Sequence, residues 1–596
     1  MAAMGSNSGR NVDVAIIGAG RADWVLRGQG WYGLVAARTY LRLRRNTNLL
    51  IIDSDSTVGG VWSESRLYPN LVAQVNLGLF NFTDVPMPAT GVNDKNQVTG
   101  RMIHNYLAAF AKDNDLLHRI RFNTHVDKAV RCRRGWRLSF NNSSDTVDAE
   151  KLIVATGVTS IPNMPVYTTE EVTVPVVHSR DLGQSYSELQ QADKKHIIVV
   201  GAAKSAYDAV YLLLSMGKKV TWVIRPDGAG PLAILPAELL GIWTSIGVAS
   251  TRLMTALSPS IFNTEGFLYR IFQKNPLGRL FTGLFWDVVA FLSDLHAGYY
   301  KNDHVAKLRP EVDGKGIFWA NSGLGVVTLP DFWSTIHKGD VTIVRDALDS
   351  LNHNTLRLRS GKAVQSDFII MCTGWGDHFA MFNEAYKTEI GLPVRSKTSL
   401  EKDPADTEWE RIDQKAEAVV DAKLPFLAKG PILKNPQSSS RPQCRWRLYR
   451  RVVPLSLAEK GDRSLAILGQ IHTVQTPLVS EIQSFWAILY LLDELELPDH
   501  DTMVREIAEW NAWTRKRYLS QGQKFPYSLY DFLPYIDTLC NDLGINSRRK
   551  SNALAEVFSP YRPKDFNGFI GEYFANKAKR KGAVMPPKSS HQFVVD

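Results

Sequence analysis

Short uncharged runs recur along this chain: Val14-Ala15-Ile16-Ile17, Leu49-Leu50-Ile51-Ile52, Leu152-Ile153-Val154-Ala155, Ile197-Ile198-Val199-Val200, Val220-Thr221-Trp222-Val223-Ile224 and Phe368-Ile369-Ile370-Met371. Runs this brief, without alternation and rich in β-branched residues, predict strands covered on both faces, as in a parallel sheet. Helical spacing appears between them, at Trp31–Tyr40, at 102–118 (Ile103, Tyr106, Leu107 and Phe110 on one stripe) and at Tyr207, Val210, Leu212 and Leu213. Shorter strand patterns lie at 120–126 and 136–140, and a late ordered stretch runs from Leu465 into an apolar helix at Phe485–Leu492. The order strand, small-residue turn, helix, strand is written twice, over 14–53 and 196–225. That duplication predicts an α/β protein.

The turns carry the chemistry. Gly18-Ala19-Gly20 follows the first strand, Gly33 lies in the helix, and Asp53 ends the second strand 53 − 33 = 20 residues later. Glycines here let the chain turn, admit a pyrophosphate to the backbone and bring the helix close to the sheet, while the acid accepts ribose hydroxyls. Ten residues, Arg21–Gly30, interrupt the pattern; removing them leaves Gly-Ala-Gly-Trp-Tyr-Gly. Gly28-Gln29-Gly30-Trp31-Tyr32-Gly33 is a second register, but only the short, charged Val25-Leu26-Arg27 precedes it. Gly18, Gly20 and Gly33 are the preferred set. In the second unit Gly201-Ala202-Ala203-Lys204-Ser205-Ala206 is the turn, with Lys204 and Ser205 offering a charge and a hydroxyl, and Arg225 ends the strand. Asp53 suits the free ribose of FAD; Arg225 suits a ribose 2′-phosphate, hence NADPH. Thr156-Gly157 and Thr373-Gly374 close the exit strands of the two units.

The predicted architecture is therefore two nested Rossmann-like dinucleotide-binding domains with an added helical region. A tail at 1–10 precedes an FAD domain at 11–193; an NADPH domain at 194–366 follows, then the rest of the FAD domain and C-terminal helices at 367–560 and a tail at 561–596. The charged, Pro/Ser-containing stretch 397–443 reads as loop. Within the second domain, 231–300 is apolar and aromatic, and packed helices or a channel wall are favoured there over a membrane-surface patch.

Charge and cysteines narrow the class. The net charge of +10 comes without zinc-finger or RNA-binding motifs, which excludes nucleic acid and suits phosphate-bearing cofactors. Cys132, Cys372, Cys444 and Cys540 form no C-x-x-C pair, so neither a metal nor a dithiol centre is expected, and a reducing cytoplasmic setting is. No run of about 18 uncharged apolar residues occurs, so no spanning helix is expected.

Taken in order, the first glycine turn, Gly59-Gly60-Val61-Trp62, Ala155-Thr156-Gly157, the second turn and Cys372-Thr373-Gly374-Trp375 resemble the flavin-containing monooxygenases. These are single-component FAD and NADPH enzymes with Baeyer–Villiger and N-hydroxylating relatives, and the likeness runs from about Asp13 to Tyr535. The resemblance implies that Gly59, Gly60 and Trp62 lie beside the flavin, that Gly469-Gln470-Ile471-His472 through Pro477, Glu481 and Gln483 contact it, and that Gln74 stands where the family carries an active-site Asn. Of the family's linker signature only His178 and Ser179 fit. The implied reaction passes hydride from NADPH to FAD and delivers one atom of O2, through a flavin C4a-peroxide, to nitrogen or sulfur of a hydrophobic molecule, as in N,N-dimethylaniline monooxygenases. Carbonyl insertion is the alternative within the family. A scaffold whose flavin site the 21–30 insertion has displaced is the alternative outside it.

Overall fold

The computed structural model describes residues 10–18, 30–141, 143–239, 241–312, 315–394, 404–433 and 446–584. Two sheets organise it. In the first, Arg10–Ile17 is central, parallel to Leu49–Ile52 on one side and to Thr146–Val154 on the other. Ile120–Arg121 extends the Leu49 side, and Leu465–Ile467 returns from late in the chain to lie parallel to Leu152–Val154. The hairpin of Val126–Cys132 and Gly135–Phe140 adds antiparallel strands. The second sheet is wholly parallel, in the order Val176–His178, Phe368–Met371, His196–Val200, Lys219–Ile224, Val341–Arg345. Every residue of Leu49–Ile52 and Phe368–Met371 is buried. Cover on both faces is why these strands carry no alternation.

Strand pairing moves the expected domain boundaries. Thr168–Glu170 pairs with Ser350–Asn352, and Val176–His178 with Ile369–Met371, so chain before 194 belongs to the second unit. Phe368–Met371 likewise lies in the second sheet, beyond the boundary expected at 366. Four further expectations change. The stretch read as loop holds a helix, Pro404–Lys423, tied to the His500–Lys524 helix by Lys423–Glu509 and Lys516–Asp421 ion pairs. The segment read as a C-terminal tail contains the Phe569–Val584 helix, whose Phe569 and Tyr573 stack edge-on against Phe485. Strand already begins at Arg10, at the end of the expected N-terminal tail. Finally, Pro276–Ala297 is long and apolar enough, by length and composition, to cross a membrane, although Arg279, Asp287 and Asp294 interrupt it.

The helix Thr476–Leu491 joins the halves of the first unit, and every residue from Pro477 to Leu491 is buried. It lies against the Trp31–Leu43 helix, which leads out of the first glycine turn.

Candidate functional site

The first cradle sits at the carboxyl ends of the central strands. Gly18 closes the first strand, its N–H donating to the Ile52 carbonyl at 2.9 Å. The Trp31–Leu43 helix begins directly after Gly30, an N-cap residue with no side chain to bond its first amides. The amides at a helix N-terminus favour anions such as phosphate. Gly33 is buried within the first turn. Gly30 stands three residues before Gly33, and a Cβ on it would lie 3.7 Å from the Gly59 carbonyl oxygen, an ordinary contact distance. Gly20 and Arg21–Gln29 fall outside the described residues.

Asp53 is fully buried at the end of the second strand. Its Oδ1 accepts the Asp55 N–H at 2.8 Å, while its Oδ2 has no partner among the described residues. Burial and the neighbouring Asp55 raise its pKa well above the usual carboxylate range. Thr156, also buried, has no partner for its Oγ1 among the described residues, and beside it a Cβ on Gly157 would meet nothing within 4 Å. Buried polar atoms in native proteins are normally satisfied. Two orphans lining one strand-end crevice therefore fit a polar ligand such as the ribose and pyrophosphate of FAD.

Gly59 to Trp62 makes a tight 3-10 turn above this crevice. Gly59 has φ +129°, and a Cβ there would meet the Trp62 carbonyl at 2.7 Å. Gly60 opens the turn and half-buried Trp62 closes it, its carbonyl bonded to His104 Nδ1 at 3.0 Å. The late stretch folds in from the other half: the Gly469 N–H donates to Gln483 Oε1 at 2.9 Å, and Gln483 Nε2 donates to Tyr535 at 2.6 Å. Gln74 lies on the Val72–Asn76 strand, where its Oε1 accepts the Val326 N–H at 2.8 Å. Its amide thus bridges to backbone 252 residues on.

The second cradle repeats the first with different charges. Gly201 ends the His196–Val200 strand at φ +137°, and a Cβ there would lie 2.2 Å from the Cys372 carbonyl oxygen. The Lys204–Ser215 helix follows, again without a side-chain cap. Lys204 Nζ is gripped by Asp208 one turn on, at 2.6 Å, and Asp208 also accepts the Tyr68 hydroxyl of the first unit at 3.3 Å. Ser205 turns toward the buried Cys372 thiol, which burial pushes up to about 12. Arg225 stands where it was expected, at the strand end and half exposed, with Asp227 at 3.9 Å. Thr373 Oγ1 donates to the Asn163 carbonyl at 2.6 Å, and the Gly374 carbonyl accepts His178 Nε2 at 3.0 Å. His178 Nδ1 accepts the Arg180 N–H, and burial pushes the ring down to about 4, so it holds this linker as a neutral imidazole.

A buried ion cluster escaped the sequence. Arg38, on the helix behind the first cradle, contacts Glu481 at 2.7 Å and Asp84 at 2.8 Å, with its guanidinium over the Phe110 ring. Glu481 also accepts the Thr83 N–H at 2.6 Å. Its partners are 443 and 398 residues away in sequence, so no local pattern marks them.

Two nested sheets, the first mixed and the second wholly parallel, each leading into a helix whose N-cap residue bears no capping side chain and finished by an acid in one unit and an arginine in the other, define a flavoprotein with a second dinucleotide cradle. The sequence profile of the pyridine nucleotide-disulphide oxidoreductases matches residues 28–234, beginning just before Gly30. The FAD-dependent monooxygenase DEP4 of Alternaria brassicicola is 42% identical over 557 residues, covering 92% of this chain and 94% of that protein. The FAD-dependent monooxygenase rstn6 of Aspergillus nomiae NRRL is 36% identical over 574 residues, 93% of this chain and 98% of its own. The structure of cyclohexanone monooxygenase from Rhodococcus sp. Phi1 bound to NADP+ shares the fold, with a TM-score of 0.55 over 90% of this chain and 98% of that one at 15% identity. The chain belongs to the FAD-dependent monooxygenases.

Proposed function

We propose that this protein is an NADPH-dependent monooxygenase that places one atom of O2 on nitrogen or sulfur of a small hydrophobic molecule, a reaction of the N,N-dimethylaniline monooxygenase type. The observation that carries this reading is the contrast between the strand ends: a buried carboxylate with a free Oδ2 at Asp53, and an exposed guanidinium at Arg225. FAD, when bound, supplies the redox and oxygen chemistry, which is why no nucleophile and base need appear among the residues. Asp53 and Thr156 hold its ribose and phosphate side, and the open amides after Gly30 face the pyrophosphate. Arg225 pairs with the 2′-phosphate of NADPH, while Lys204, steadied by Asp208, offers a charge to the bridging phosphates. Gln74, its oxygen engaged by Val326, keeps an amide N–H to direct at the oxygenation site.

Purified protein should carry FAD, visible in its absorbance, and consume NADPH faster with substrate. Under 18O2 the product should gain one labelled atom as an N-oxide or S-oxide. A lactone or ester would favour carbonyl insertion; a colourless folded protein would favour the scaffold reading. Arg225→Ala should raise the KM for NADPH about ten- to a hundredfold, the value of a charge-assisted hydrogen bond, and leave that for NADH nearly unchanged. Equal changes for both cofactors would remove Arg225 from the phosphate site.

A further inference from the structure

The Pro276–Ala297 helix is two-faced. Gly278, Thr282, Trp286, Val289, Ser293 and Ala297 are buried, and Trp286 Nε1 donates to the Leu257 carbonyl at 2.9 Å. On the other side Leu277, Leu280, Leu284, Val288, Phe291 and Leu295 recur every third or fourth residue, with Leu277 76% and Phe291 66% exposed. At 1.5 Å per residue this stripe is about 27 Å long. Isolated exposed apolar side chains are ordinary; a continuous stripe of them marks a contact surface.

The charges beside the stripe identify what it meets. A surface groove of about 410 Å³ runs along it, lined by Leu280, Leu284 and Phe426 together with the cations Arg279, Lys315 and Lys429. Its carboxylate, Asp287, is paired with Lys315 at 2.7 Å, and the helix's other acid, Asp294, is paired with Arg309 at 3.1 Å. Arg279 donates to the Lys274 carbonyl, which leaves its charge unopposed by any acid among the described residues. Ile432, next to the groove-lining Pro431, is 96% exposed. The neighbouring sequences outside the described residues, 395–403 and 434–445, are polar and charged and hold no matching apolar stripe.

We infer that this face rests on an anionic lipid bilayer. The helix lies in the plane of the interface, its stripe at the boundary of headgroups and acyl chains, with Arg279 and Lys429 against lipid phosphates. It does not span, because its inner face is packed into the protein. This inference stands apart from the reaction assigned to the cofactor sites.

The test is flotation of the full-length, FAD-loaded protein with vesicles of phosphatidylcholine, with or without phosphatidylserine. The protein should float with the anionic vesicles, and less with neutral ones or in high salt. Leu284→Glu with Phe291→Glu should lower the bound fraction on both kinds about tenfold, and Arg279→Gln with Lys429→Gln should lower it on anionic vesicles alone. Leu280→Asn with Val288→Asn is the milder pair should the first lose its flavin. Protein that stays unfloated with anionic vesicles overturns the inference. So does a dimer in gel filtration that the stripe substitutions dissociate, because a second copy would then be the occupant.

Discussion

Gly201→Ala is expected to raise the KM for NADPH about a hundredfold or more while FAD stays bound. At φ +137° an L-residue is already strained, by about 1–3 kcal/mol. Steric overlap adds more than that strain. The added Cβ would stand 2.2 Å from the Cys372 carbonyl oxygen, and that carbonyl belongs to the chain leaving the strand paired with Ile197–Val200. Neither backbone can yield without parting the second sheet or displacing the Lys204–Ser215 helix, whose open amides form the cradle. The first sheet is a separate hydrogen-bonded unit, so flavin absorbance should persist. Gly374→Ala is the control: its φ is +84°, but the new Cβ meets nothing within 4 Å, so only strain applies and the change should stay below about tenfold. Steady-state kinetics and flavin content measured on the same preparations decide it; an unaltered KM in Gly201→Ala would remove this turn from the cofactor site.

What could be read from sequence was whatever a few adjacent residues encode. Each uncharged run became a strand because a strand buried on both faces needs no polar positions. Asp53 and Arg225 were legible because strand ends in this fold always face the crevice. The first turn was ambiguous for a simple reason: removing 21–30 or 20–29 leaves the same six residues, with the helix starting at Trp31 in either case. Long-range pairing was invisible. Nothing within Val176–His178 states which sheet it joins, and nothing near Gln74 points to Val326, 252 residues on. The Pro404–Lys423 helix was missed because charges dominate its sequence and mask the stripe of Trp409, Ile412, Ala416 and Val420 that packs into the core beside its ion pairs to a distant helix. The apolar character of 231–300 was plain, but not that one face of a single helix would remain uncovered.

Above about pH 7, where the Glu481 carboxyl is ionised, Glu481→Ala is expected to cost about 3 kcal/mol of stability, with loss of flavin on mild heating. Removing one member of a buried ion pair leaves the other charge uncompensated, at about 3–5 kcal/mol. The lower end applies because Arg38 keeps Asp84 at 2.8 Å. The buried Thr83 N–H loses its acceptor as well. The same residue gives a pH dependence of definite sign. Burial outweighs Arg38 and lifts the Glu481 carboxyl from its ordinary 4.5 to about 7. Between those values the folded protein holds a proton that the unfolded chain has released, so stability falls as pH rises. The contribution is complete below the unfolded value and gone above about pH 7, a change of about 3 kcal/mol at most. Glu481→Gln stays neutral throughout: it should match the wild type near about pH 5 and lose this slope up to about pH 8. The difference in Tm between wild type and Glu481→Gln, followed by tryptophan fluorescence across that range, isolates the effect from every other titrating group. A difference that grows in the wild type's favour as pH rises would mean that Glu481 remains ionised beside Arg38, with the ion pair rather than burial setting its charge.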